Sequence, residues 1–187
     1  MQINTQSFLK LVEESNEIAF FDIEASGLRG DYNSVICVSI KSFQKEPYTF
    51  SIKQLGNDKK IVREAAEALS TYTCLVGYYS KGFDWPMLNT RLLKWGYNPL
   101  EKRHHIDMYY QLKSHLLTAR RSQGHLLSWL DTPEQKMSVG ASTWSEMGFK
   151  LDEHLPTMIE RCESDVIGLQ SLYEKTKHLI GDIKLQR

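Results

Sequence analysis

Cysteine is scarce in this chain. Cys37, Cys74 and Cys162 are the only three, widely separated and without a C-x-x-C pair. That argues against a disulfide framework or a thiolate zinc site and fits a reducing, intracellular (cytoplasmic) setting. Long apolar runs are missing too. No window approaches the roughly 18 apolar residues of a membrane span, so no membrane association is expected. The opening MQINTQSFLK has no basic segment leading into an apolar stretch, so no secretory leader is expected either. There is no Gly-rich phosphate loop, which argues against a phosphate- or sugar-transferring enzyme. Neither sign of charge is in excess, with 23 Lys and Arg against 23 Asp and Glu. A nucleic-acid partner must therefore be sought in how charge is distributed rather than in its sum.

What is present is an ordinary globular composition, 187 residues with 41% hydrophobic and 25% charged. It shows no low-complexity segment, internal repeat or linker, and one domain over 1–187 is expected. Apolar spacing predicts a short helix over 5–15. Three strand-like runs follow at 17–24, 34–43 and 47–53, separated by turn-rich SGLRGDYN and the short QKE, which reads as an antiparallel meander. A helix over 57–70 buries Ile61, Val62, Ala65, Ala66 and Leu69 on one side. A strand at 73–80, a helix over 84–95, a short strand at 104–110 and a long last helix from about 155 to 178 complete the pattern. Short helices and loops are expected from 111 to 150, including the flexible-looking DTPEQKMSVGAS.

Asp22 and Glu24 stand out within FFDIEASGL. Two residues apart on a strand, they share a face with Ile18 and Phe20. Two like charges there repel and lose hydration unless a cation compensates. Either the strand emerges into solvent at Ser26-Gly27, or the pair holds a divalent metal, since Mg²⁺ prefers clustered carboxylate oxygens. A similar choice arises on the last helix. Asp165 lies within about 60° of Met158, Cys162, Leu169 and Leu172 on a helical wheel, while Glu160 and Glu163 fall opposite. An acid in an apolar stripe needs a basic partner or a metal. Asp84 opens a helix after a strand and a Gly-containing turn, either as an N-cap or where its carboxylate reaches the sheet edge.

Together these stretches resemble the DEDD family of 3′–5′ exonucleases, which have the ribonuclease H-like fold. The likeness lies in Asp22-Ile23-Glu24 on a strand, in Phe83-Asp84 opening a helix with Pro86 and Leu88 following, and in Asp165 of RCESDVIGL on the last helix. It runs from about 17 to 175. The resemblance implies an α/β fold with a central mixed five-stranded sheet, three antiparallel strands then two parallel, flanked by helices. It implies two divalent cations, Mg²⁺ or Mn²⁺, clamping a scissile phosphate of single-stranded DNA or RNA. Asp22 would bridge both ions, Glu24 and Asp165 would hold the one that activates water, and Asp84 would support the second.

The chain departs from that pattern where the family places a Tyr four residues, or a His five residues, before the last Asp. Those positions hold Arg161 and Glu160. Arg cannot act as a general base. It lies about 40° from Asp165 on the wheel and suits a phosphate contact, or it pairs with one of the acids when no metal is bound. His154 is expected in a loop before the helix, where it is a possible substitute base or simply a solvent-exposed side chain. Leu28 and Phe83 are candidate wedges against terminal bases, with core packing the other reading of Phe83. The basic-aromatic stretch 102–125 includes Arg120 and Arg121, expected in a loop near the site. The readings in competition are an active exonuclease and a non-catalytic nucleic-acid-binding or protein-interaction module of the same fold.

Overall fold

A computed structural model describes residues 4–134, 137, 138, 140, 143, 146, 150–181 and 183. Five strands form one sheet: β1 (Ile18–Ala25), β2 (Val35–Ser42), β3 (Tyr48–Ser51), β4 (Cys74–Gly77) and β5 (His104–Asp107). Their spatial order is β3-β2-β1-β4-β5. β1, β2 and β3 pair antiparallel, while β4 pairs parallel to β1 and β5 parallel to β4. This is the mixed sheet expected from the sequence. β1, β2 and β4 are almost wholly buried because helices cover both faces, the usual condition for central strands with parallel neighbours.

The helices are α1 (Thr5–Glu14), α2 (Lys59–Ser70), α3 (Asp84–Lys94), α4 (Met108–Lys113), α5 (Gln123–Trp129) and α6 (Leu151–Thr176). The period-two alternation of β1 divides the core. Ala19, Phe21 and Ile23 pack with Ile61, Val62, Leu69 and Leu88 of α2 and α3. Ile18 and Phe20 pack with Val166, Leu169, Leu172 and Tyr173 of α6. Asp22 and Glu24 continue the second row, toward α6.

Three boundaries differ from expectation by three residues or more. The fifth strand stops at Asp107 rather than reaching residue 110, because the Asp107 side chain caps α4 by accepting the Tyr109 N–H. The fourth strand stops at Gly77 rather than 80; two residues on, Tyr79 takes φ 58° and turns the chain. The last helix starts at Leu151, four residues earlier than expected. Pro156 lies inside it and removes one helical N–H, but Leu151, Leu155 and Ile159 pack against the core and hold the extra turn. The DTPEQKMSVGAS stretch lies partly outside the described residues.

Candidate active site

The acids gather where β1 runs past its neighbours. β1 pairs with β4 from Ile18 opposite Cys74 only as far as Phe20 opposite Val76. Beyond that point the Ile23 N–H donates to Asp84 Oδ1 at 3.1 Å. Asp84 is therefore the first residue of α3, with Phe83 in the N-cap position, and it is no side-chain N-cap. Its carboxylate closes the sheet edge instead. On the other side, the β1–β2 register shifts between Glu24 and Ala25, where Glu24 faces Cys37 and Ala25 faces Val35. Such a bulge re-aims the strand at its end, and the Ser26–Ser34 loop follows.

Asp22, Glu24 and Asp165 each offer a carboxylate oxygen, and these atoms all lie within 4.8 Å of one another. Glu24 and Asp165 are buried and Asp22 is half-buried. Asp165 stands in the apolar stripe read from the sequence, with Met158, Cys162, Leu169 and Leu172 buried beside it. Two neighbours fix the cluster. The Cys162 thiol lies 3.6 Å from Asp22 Oδ2 and 3.4 Å from the Asp22 carbonyl; burial pushes that thiol's pKa well up, so it is a neutral donor. Gln123 of α5 donates to the Asp165 carbonyl at 2.7 Å.

Arg161 supplies the cation. Its Nε meets Glu24 Oε1 at 2.5 Å, and Asp165 and Asp22 also act on its charge. This is the pairing with an acid that the sequence allowed. It shows how three carboxylates coexist: a guanidinium held against them offsets the desolvation that each would otherwise suffer. Glu160 is exposed, as the wheel indicates. His154 is not in a loop. It sits on α6, two turns before Arg161, and its Nε2 lies 3.3 Å from Glu146 Oε2.

Asp84 is 4% exposed, and burial raises its pKa from 3.8 to about 7. The nearby charges of Asp107 and Glu24 add to that rise, while the Asp84 and Ile23 backbone N–H groups oppose it. Its carboxylate is outside the three-acid cluster but on the same strand end.

The other predicted residues divide. Leu28 is 81% exposed in the loop after β1. Phe83 is partly buried against the core. Arg120 and Arg121 are exposed in the segment before α5, and Arg121 lines a small pocket with Tyr78, Tyr109 and Lys113.

Two acids escaped the sequence reading. Asp58, fully buried, binds Arg91 through Nε and Nη2 at 2.8 Å each and accepts from Trp95 Nε1 and the Val35 N–H. Arg91 also donates to the Gly30 carbonyl at 3.0 Å, tying the loop after Glu24 to α3. The signal was available, since Asp84, Leu88 and Arg91 follow the i, i+4, i+7 spacing of one helix face. Asp107 accepts the Tyr79 and Lys81 N–H groups at 2.9 Å each and so holds the turn that leads to Asp84. Its cue was an Asp between a strand pattern and a helix.

This sheet order, with acids from β1, α3 and α6 at one end, defines a nuclease-type fold of the ribonuclease H-like class. A family profile described as the RNase_H superfamily matches residues 19–177, and the chain belongs to that superfamily. Among solved structures it is similar to a family B DNA polymerase from the hyperthermophilic archaeon Pyrobaculum calidifontis, with TM-score 0.66 and 18% identity. The match covers 86% of this chain and 24% of the polymerase, and at this identity the likeness is one of fold. No curated protein matches the sequence.

Proposed function

We propose that the chain, taken as a single domain, is a metal-dependent 3′–5′ exonuclease acting on single-stranded DNA or RNA. The observation that carries this reading is the convergence of Asp22, Glu24 and Asp165 oxygens within 4.8 Å, on the strand end that Asp84 also touches. Hard carboxylate oxygens at this density suit Mg²⁺ or Mn²⁺. Asp22, Glu24 and Asp165 would hold the catalytic cation, and Asp84 would join Asp22 in holding a second. When bound, such ions lower the pKa of the attacking water and stabilise the departing 3′ oxygen.

The chain's own groups do the rest. Arg161 leaves Glu24 and takes a non-bridging phosphate oxygen, which its planar guanidinium fits. Cys162 keeps Asp22 oriented through its thiol. Leu28 and Phe83 bear on the terminal bases, and Arg120 and Arg121 on the phosphates of the incoming strand. Among the described residues, the positions of the family's Tyr and His hold Arg161 and the exposed Glu160, and neither serves as the general base. His154 is engaged with Glu146. The closed Arg161–Glu24 pair favours a second reading, a catalytically impaired binding module.

Digestion of 5′-labelled single-stranded DNA and RNA with Mg²⁺ or Mn²⁺, beside Asp22→Ala, tests the first. A ladder shortening from the 3′ end, absent in the variant, is expected. No cleavage of either strand by folded protein refutes exonuclease activity and leaves the binding module.

A further inference from the structure

Two tyrosine pairs meet at the end of the sheet that also carries the acid cluster. The parallel register sets Gly77 of β4 opposite Asp107 of β5. Tyr78 and Tyr79 follow the first, and Tyr109 and Tyr110 follow the second, so all four rings reach the same sheet end. Tyr78 is half-buried and its hydroxyl donates to the Arg121 carbonyl, a structural role. Tyr79 and Tyr110 are different, with exposures of 46% and 43%. Their ring centroids lie 6.0 Å apart at an interplanar angle of 31°. Tyr109 stands edge-on to both, 5.2 Å from each. Lys113 Nζ sits 5.6 Å from the Tyr110 ring centroid and 6.0 Å from that of Tyr109.

Tyr79 has φ 58°, a conformation that a bulky residue adopts only where its surroundings impose it. Here they do. Asp107 takes the N–H groups of Tyr79 and Lys81, and the phenol ring lies over Gly82, where a Cβ would fall 2.6 Å from Tyr79 Cζ. Glycine would make this turn without strain. The sequence instead places a large aromatic ring there and leaves nearly half of it in solvent, five residues before Asp84.

We propose that Tyr79 and Tyr110, with Lys113, form a stacking platform for the bases of single-stranded nucleic acid upstream of the end held at the acid cluster. Exposed aromatic faces accept any base, and an ammonium among them meets the accompanying phosphate. The exposed Lys81 of the same turn and Arg121 beyond Tyr78 extend the positive charge. That charge complements a phosphodiester backbone, and nucleic acid is the occupant it selects over an apolar protein segment. The strand direction rests on the exonuclease reading; the stacking does not.

The test is fluorescence anisotropy of fluorescein-labelled octathymidylate with the full chain, in Ca²⁺ so that the strand stays intact. Tyr79→Gly suits the backbone and removes the ring, and Tyr110→Ala removes the other. Each is expected to weaken binding by about 5- to 150-fold, the range one stacked base supplies, while Tyr79→Phe retains affinity. Hydrolysis of thymidine 5′-p-nitrophenyl phosphate, which has no upstream base, should stay within about twofold in all three, since stacking acts only on a longer strand. An octamer affinity unchanged in the Tyr79→Gly, Tyr110→Ala double variant overturns the platform, as does a wild-type chain that binds no octamer. Failure of the wild type to hydrolyse the mononucleotide ester overturns the metal-site reading alone, because tyrosine-dependent octamer binding is scored separately.

Discussion

Replacing Arg161 with Met separates its two roles. Its Nε meets Glu24 Oε1 at 2.5 Å, and Asp165 and Asp22 also act on its charge. A metal that takes Glu24 must first displace it. A hydrogen bond between charged partners contributes about 1.5–3 kcal/mol, equal to about 10- to 150-fold in an equilibrium constant. Arg161→Met removes that competitor and leaves three carboxylates without their guanidinium. The variant should bind Mn²⁺ about 10- to 150-fold more tightly by calorimetric titration. At fixed saturating Mn²⁺, each tenfold gain adds about 1.4 kcal/mol of metal-dependent stability, about 3–6 °C in melting temperature for a chain of this size. Without metal the variant should melt below the wild type, because the acids repel. Cleavage of labelled strands should fall despite the tighter metal, since the phosphate loses its guanidinium. Mn²⁺ affinity equal to or weaker than that of the wild type would refute the reasoning and make Arg161 a support for the metal rather than its competitor.

Asp22→Ala and Asp165→Asn should each abolish the rise in melting temperature with Mn²⁺; a rise surviving in both would mean that the ion binds elsewhere. Arg91→Met strands the fully buried Asp58 carboxylate, a change that costs about 3–5 kcal/mol; urea denaturation reads it, and a loss below about 1 kcal/mol would contradict the buried network. Burial lets Asp84 keep its proton up to about pH 7 in the folded chain, against 3.8 for an ordinary aspartate. The native state thus holds the extra proton in between, and metal-free stability should fall as pH rises through that window. Asp84→Asn should flatten this slope in pH-dependent melts. In the wild type, metal competes with that proton, so the stabilisation by Mg²⁺ should be larger at pH 8 than at pH 6, with the opposite trend counting against Asp84 as a ligand.

The sheet was legible because its strands carry local signals. Runs such as SVICVSIKSF are bounded by turn residues, and burial on both faces leaves few other ways to read them. The boundaries at 77, 107 and 151 were not. Those at 77 and 151 depend on contacts made across the fold, Asp107 to the Tyr79 turn and Leu151 and Leu155 to the core, while the one at 107 is set by the Asp107 cap on α4. Asp58 and Arg91 were missed because a polar residue looks solvated until its partner is known, although the helix face that Arg91 shares with Leu88 was a cue.

Parity and periodicity by themselves determined which acids could meet. Asp22 and Glu24 share a face because the strand repeat is two, and Asp165 faces inward because the helix repeat is 3.6. The tertiary structure decided which groups those acids meet. It brought Arg161 onto Glu24 across 137 positions of sequence and Asp84 onto the Ile23 N–H across 61. Such pairings depend on the side-chain reach and desolvation at a sheet end that several elements build together, and no local pattern encodes them.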